Sequence, residues 1–290
     1  MENHELYVDV AENIKCCVIQ RYKDTTESKK ALLLLHGVAD GHIVWDLQIK
    51  DYSVMDYLAE RNFVVYAPDL RGFGKSTITS GIDVRAETCA DDTKKVVDFV
   101  KRQLRVAKIH LVGASFGAMI VATYAAKYSQ DVEKLALISP LYRDLSHTFK
   151  DMVRSTLDLI NKGTGYSPNP TQPGALGGGL YSADGEVVNY YSRLKLYCPN
   201  NPTGPFLDMV QGGDNNLPTD RYIPLITAPT LLIAAGNDEI APAENSKLLY
   251  QDLRMQDKKL VSIPGVSHKM TLERKGHTAI MEELREWFED

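Results

Sequence analysis

Long hydrophobic runs are missing from this 290-residue chain. The longest clean ones, such as Ala31 to Leu35, are far too short to cross a bilayer, so no membrane span is expected. A basic excess is missing as well. Lys and Arg number 33 against 38 Asp and Glu, a net charge of −5. Nucleic acid and anionic membranes select basic surfaces, so neither is expected as a partner. The first residues, Met1 to Glu5, lack the basic-then-apolar order of a secretion signal. Cysteine is scarce, with Cys16, Cys17, Cys89 and Cys198 at spacings that match no zinc or dithiol redox pattern. Reduced thiols in the cytoplasm are the expectation, with no metal and no cofactor. Internal repeats and low-complexity tails are absent too, which excludes solenoids and fibrous chains.

What is present is ordinary in proportion and informative in order. Hydrophobic residues make up 44% and charged residues 24%, enough for a large core that needs no disulfide or metal. Length alone suggests about two domains. Leu6 to Val10 and Ile14 to Ile19 read as short strands around the turn Ala11-Glu12-Asn13. The continuous apolar run Ala31 to Leu35 predicts a strand covered on both faces. Strands at Phe63 to Ala67, Ile109 to Val112 and Leu135 to Ile138 then alternate with helical patterns at Glu87 to Leu104 and Phe116 to Lys127. Such alternation predicts βαβ units and a mainly parallel sheet.

The alternation fails between residues 142 and 222. A helix is predicted around Phe149 to Ile160, followed by a segment broken by Gly163, Gly165, Pro168, Pro170, Pro173, Gly177-Gly178-Gly179 and Pro199 to Pro205. Five tyrosines fall there: Tyr166, Tyr181, Tyr190, Tyr191 and Tyr197. They read equally as the lining of an acyl pocket or as packing. A long loop-rich stretch in a compact domain usually covers a site. The alternation resumes with strands at Thr230 to Ala234 and Leu260 to Ile263, a helix at Ala243 to Leu253, and a last helix carrying Ile280, Leu284, Trp287 and Phe288.

Gly113-Ala114-Ser115-Phe116-Gly117 matches G-x-S-x-G between a strand and a helix. That setting makes a sharp turn which exposes the Ser115 hydroxyl as a nucleophile. A serine needs a base, and His268 follows the last strand, where a loop returns to the sheet's C-terminal edge. His110, inside a strand, reads as structural. A carboxylate must orient the base. Asp238, just after the strand ending at Ala234, is the expected acid, and Asp144 is the alternative. The oxyanion requires two N–H donors, expected from Phe116 and from Val38 in the loop after His36-Gly37. His36 to Asp40 also fits H-x-x-x-D, a spacing found in some acyltransferases whose layout this chain lacks.

Four marks occur in order: His36-Gly37, Asp69-Leu70-Arg71-Gly72-Phe73-Gly74-Lys75-Ser76, the Ser115 motif, and Asp238 with His268. With them the chain resembles an α/β-hydrolase-fold serine hydrolase over essentially its whole length. The resemblance implies an eight-stranded, mostly parallel sheet flanked by helices, with a cap inserted after the sixth strand. The expected division is a core over 1–141 and 223–290 with a cap over 142–222. Arg71 is expected to pair with a carboxylate. The expected activity is cleavage of a carboxylic ester or thioester through an acyl-enzyme on Ser115. The substrate is then a small acyl compound, with an acyl carrier as one source. An acyltransferase or a carbon–carbon bond hydrolase would use the same residues. A binding protein without turnover is the remaining class.

Overall fold

The chain opens with a hairpin, β1 (Glu2–Ala11) and β2 (Ile14–Tyr22), turned at Asn13 in a left-handed conformation with φ 57°. The structure is a computed structural model that describes residues 1–23, 30–143, 145–158, 163–168, 183–210 and 217–290, without the side chains of 156, 158 and 191–196. Asp144, Gly177-Gly178-Gly179 and Tyr181 therefore lie outside the described residues, as does the side chain of Tyr191. The alternating part follows: β3 (Lys30–Leu35), α1 (Val54–Ala59), β4 (Phe63–Pro68), α2 (Ala86–Leu104), β5 (Ile109–Ala114), α3 (Phe116–Lys127) and β6 (Val132–Ile138). An insertion carries α4 (His147–Asp158), β7 (Tyr166–Pro168), α5 (Gly185–Tyr197), β8 (Asn200–Pro202) and α6 (Gly204–Val210). The chain then returns through β9 (Thr230–Ala235), α7 (Ala243–Asp252), β10 (Lys258–Ile263) and α8 (Arg274–Glu289).

One eight-stranded sheet runs in the order β1-β2-β4-β3-β5-β6-β9-β10. Strand β2 is antiparallel to both of its neighbours, and every pair from β4 to β10 is parallel. The β3 leucines show how the sheet is covered. Leu33 and Leu35 join a core with α2, α3 and α7, while Leu32 and Leu34 join a second core with α1 and α8. Successive strand side chains point to opposite faces, so an unbroken apolar run is what two covered faces require. Helix α3 lies apolar and buried from Phe116 to Ala125. A helix hydrophobic all round belongs inside a protein, and this one backs the middle of the sheet.

The described part of the insertion carries more regular structure than its sequence predicts. Helix α5 occupies a stretch free of proline, and α6 takes Pro205 in its first turn, where a missing N–H costs nothing. Asp208 of α6 accepts the Ala86 N–H at 2.7 Å and so caps α2. No helix among the described residues is long and apolar enough to cross a membrane.

His110 is 6% exposed in β5, its ring centroid 4.8 Å from Phe288 and 6.4 Å from Phe63. Burial pushes its pKa down to about 4, with Lys134 and Lys30 adding to the effect. His277 of α8 is likewise lowered to about 4 by burial. A base with a lower pKa folded than unfolded holds fewer protons when folded, so acid favours unfolding. Stability from this source is complete above about pH 6.5 and is lost toward pH 4, about 3 kcal/mol per histidine at the limit. Urea midpoints at pH 7 and pH 4.5 check this. The drop should be smaller in His110→Leu than in the wild type, and equal drops would refute it.

Candidate active site

Six loops leave the C-terminal edge of the parallel sheet, and they carry the chemistry. Such edges gather functional groups in open α/β sheets. Ser115 lies between β5 and α3 with φ 54° and ψ −117°, a strained conformation for a residue with a side chain. The flanking glycines make the turn close. A methyl group at Gly113 would lie 2.2 Å from the Gly117 carbonyl oxygen, and one at Gly117 would lie 2.3 Å from that of Leu35. The Ser115 N–H donates to the Ile138 carbonyl at 2.9 Å, so the turn is stitched to β6.

His268 Nε2 lies 2.8 Å from Ser115 Oγ. Its Nδ1 lies 2.9 and 2.8 Å from the two oxygens of Asp238. A carboxylate only accepts, so Nδ1 carries the proton and Nε2 presents its lone pair to the serine hydroxyl; this tautomer is assigned from the partners. The side chains of His268 and Asp238 are 5% and 1% exposed. Asp238 Oδ1 also accepts the N–H groups of Ile240 and Ala241 at 2.9 and 2.8 Å, which hold the carboxylate in place. The His268 loop is pinned twice. Ser139 Oγ donates to the His268 carbonyl at 3.1 Å, and the Ser267 N–H donates to buried Glu273 at 2.6 Å. The structure thus brings Ser115, His268 and Asp238 together.

The second expected donor loop runs from His36 to His42 after β3. Gly37 borders the nucleophile, since a methyl there would lie 3.2 Å from Ser115 Cβ. Val38 lines the same pocket as Ser115, and Ala39 beside it holds a left-handed φ of 79°. Phe116 is the first residue of α3, where an N–H has no acceptor within the helix. His36 is fully buried, and its Nε2 accepts the Leu70 N–H at 3.1 Å. Its Nδ1 therefore donates to the Gly37 carbonyl at 2.7 Å. Burial holds its pKa below the usual value, against the pull of Asp69 and the Gly37 carbonyl. Both ring nitrogens are spent on backbone, which leaves His36 no part in acyl transfer as a base.

The pocket beside Ser115 is lined by two kinds of residue. Val44, Ile138, Phe149, Phe206, Met209 and Ile240 are its apolar contributors, and Asp40, Lys269 and Thr271 its polar ones. The free space is about 60 Å³. Lys269 Nζ lies 3.6 Å from Asp40 Oδ1, with both side chains nearly buried. From the insertion the lining comes from α4 and α6, in Phe149, Phe206 and Met209. The described tyrosines of the insertion are elsewhere. Tyr190 packs on the core under α1 and α8, and Tyr166 and Tyr197 border a separate hollow of about 700 Å³. Arg71 pairs with Asp92 of α2 through two prongs.

Sequence reasoning missed Ser139, Glu273 and the apolar trio Phe149, Phe206 and Met209. Glu273 carries no local signal, because its partner Ser267 is a turn away across a loop. Asp69 stood inside a recognised motif, but its role depends on residues far along the chain.

The fold and the arrangement of Ser115, His268 and Asp238 define the class, an enzyme of the α/β-hydrolase fold. The profile of the serine aminopeptidase S33 family (Hydrolase_4) matches residues 26–275, and the chain belongs to that family. Monoglyceride lipase of Mus musculus is 24% identical over 272 residues, covering 92% of this chain and 85% of that protein. The 1-acylglycerol-3-phosphate O-acyltransferase ABHD5 of Rattus norvegicus is 32% identical over 119 residues. That match spans 41% of this chain and about a third (32%) of the relative's length. Among solved structures, a monoacylglycerol lipase of Paleococcus ferrophilus aligns with TM-score 0.69 at 21% identity, covering 99% of this chain and 98% of that one. A thermophilic esterase of Thermogutta terrifontis gives 0.69 at 20% identity, covering 100% and 98%. At these identities the structural likeness shows the fold.

Proposed function

We propose that the chain cleaves a carboxylic ester or thioester through an acyl-enzyme on Ser115. The observation that carries the reading is the unbroken relay from Ser115 Oγ through His268 to both oxygens of Asp238. In this mechanism His268 Nε2 takes the hydroxyl proton as Ser115 Oγ attacks the carbonyl carbon. The N–H groups of Val38 and Phe116 hold the oxyanion, in a site where such donors are worth far more than in water. Collapse expels the alcohol or thiol, which takes its proton from His268. Water, deprotonated by the same nitrogen, then releases the acid. Asp238 holds the productive tautomer and steadies the imidazolium.

Residues 142–222 act in this reading as a cap over the core formed by 1–141 and 223–290. The apolar lining residues, among them Val44, Phe149 and Ile240, suit an acyl chain. Asp40, Lys269 and Thr271 offer acceptors and donors together, which suits a leaving group bearing polar atoms. Likeness to a monoglyceride lipase over 92% of the chain supports an ester of that general kind. An acyltransferase sharing the acyl-enzyme is the second reading, favoured by the partial likeness to an O-acyltransferase. The buried thiols of Cys16, Cys17 and Cys89, outside any disulfide, support a reducing compartment, the cytoplasm.

Treatment with a fluorophosphonate, followed by intact-mass and peptide analysis, tests the nucleophile. One adduct is expected, on Ser115. Labelling elsewhere, or none, refutes the reading. Products formed from an aryl ester with and without glycerol separate hydrolysis from transfer, since free acid as sole product excludes the acyltransferase.

A further inference from the structure

We propose that Tyr197, at the end of α5, is a positioning residue for the oxyanion loop, so that the insertion serves the reaction through a hydroxyl as well as a pocket wall. The proposal rests on the reading of Val38 as an oxyanion donor. The loop that carries Val38 is anchored at its start by His36 on Leu70. It is anchored at its end by His42, whose backbone N–H and Nδ1 lie 2.8 and 2.9 Å from the same oxygen of Asp69. Asp69 is therefore the peg on which the far end of the loop hangs.

That peg is fully buried. A buried carboxylate depends on every donor it has, because water cannot replace one that leaves. Its second oxygen accepts the Lys75 N–H at 2.9 Å and the hydroxyl of Tyr197. The Tyr197 hydroxyl also lies 3.2 Å from His42 Nδ1, and the two rings meet edge-on at 5.3 Å. Burial acts to raise the pKa of Asp69, yet the bonds from His42 and Tyr197 hold it below the usual carboxylate value.

The local sequence leaves room for this contact. A methyl at Gly41 would come within 2.9 Å of the Tyr197 ring, and one at Gly74 within 2.5 Å. Between the two anchors, Ala39 keeps a left-handed backbone that persists only when its surroundings over-determine it. Loosening the Asp69 peg lets that strain relax, and Val38 moves with it. The backbone donors to Asp69 belong to the core. Among the described residues, Tyr197 is the donor that comes from the insertion.

A merely structural tether would behave differently, and the protein supplies the control. The other end of α5 is held at Asp184, which accepts from Tyr52 at 2.9 Å and Arg274 at 2.7 Å. Asp184→Ala loosens the same helix without touching Asp69. The test measures kcat and KM for one acyl ester. It adds the Ki of the matching trifluoromethyl ketone, whose carbonyl carbon takes the Ser115 oxygen while its own oxygen becomes an oxyanion and the proton passes to His268. In Tyr197→Phe, kcat should fall about tenfold and Ki rise about tenfold, a fraction of what deleting an oxyanion donor costs. KM should stay within about twofold, as expected for an interaction felt only in the transition state. Asp184→Ala should leave all three near wild type. Tyr197→Phe with unchanged kcat and Ki overturns the proposal, as does Asp184→Ala reproducing the losses. Ser115→Ala run alongside distinguishes the failures, because its full activity would overturn the underlying nucleophile reading instead.

Discussion

Ser115→Ala is expected to lower kcat for ester hydrolysis by at least about 10⁴-fold, with the fold and substrate binding preserved. The variant removes one oxygen from a turn whose conformation is imposed by Gly113, Gly117 and the bond to Ile138, so the backbone has no reason to move. What would remain is the proposed pair of N–H donors and the pocket, which together would leave a residual rate well above that in water. His268→Ala should cost nearly as much, and the double variant little more than either single one. Groups that act on one proton cannot be lost twice. Asp238→Asn is the subtler member. An amide can donate where the carboxylate only accepts, so the His268 tautomer reverses and Nε2 faces Ser115 with a proton instead of a lone pair. A loss of about 10⁴ is expected on that ground. Steady-state kinetics on an aryl ester reads all four variants. A Ser115→Ala enzyme keeping a tenth of wild-type kcat would sink the mechanism.

Arg71→Met is expected to be the most damaging single change to stability away from the site, by about 3–5 kcal/mol. The Arg71 and Asp92 side chains are 9% and 6% exposed and face each other through two hydrogen bonds. Burial works against the Arg71 charge, and the paired carboxylate outweighs it, so the guanidinium stays protonated. Removing the arginine leaves Asp92 charged or newly protonated in a closed space, with no partner to replace it. The pair itself is worth less than its loss costs, because both charges were taken out of water to form it. The double variant Arg71→Met with Asp92→Leu should therefore recover most of the loss. Thermal melts decide this. A fall of roughly 10 °C for the single variant and a return toward wild type for the double are expected. Additive losses would show instead that Arg71 and Asp92 contribute independently of each other, and would refute this account of the pair.

How much of this was legible beforehand depends on the distance over which each feature is encoded. The run Ala31 to Leu35 predicted a doubly covered strand, since strand periodicity is a local property. His110 was expected to be structural from its place inside a strand, and it lies buried between Phe63 and Phe288. The motif around Ser115 was readable because a strand, a tight turn and a helix must be adjacent in sequence to form it. Arg71 was expected to have a carboxylate partner, but nothing near it indicated Asp92, 21 residues on. The insertion was read least well. Its Gly and Pro content hid α5 and α6, whose formation rests on packing against the core more than on propensity. Its tyrosines read equally as pocket lining or as packing, and the described lining from the insertion is instead Phe149, Phe206 and Met209.

The sequence by itself determined the fold class and the order of Ser115, Asp238 and His268 along it. Both follow from short-range patterns: apolar periodicity, strand ends, and residue types at fixed offsets. Only the tertiary structure decided which side chains brace the loops around those residues. Asp69 between His42 and Tyr197, and Glu273 under the His268 loop, join segments between 6 and 128 residues apart. No local pattern encodes such contacts, because a buried carboxylate accepts whichever donors the folded chain brings to it.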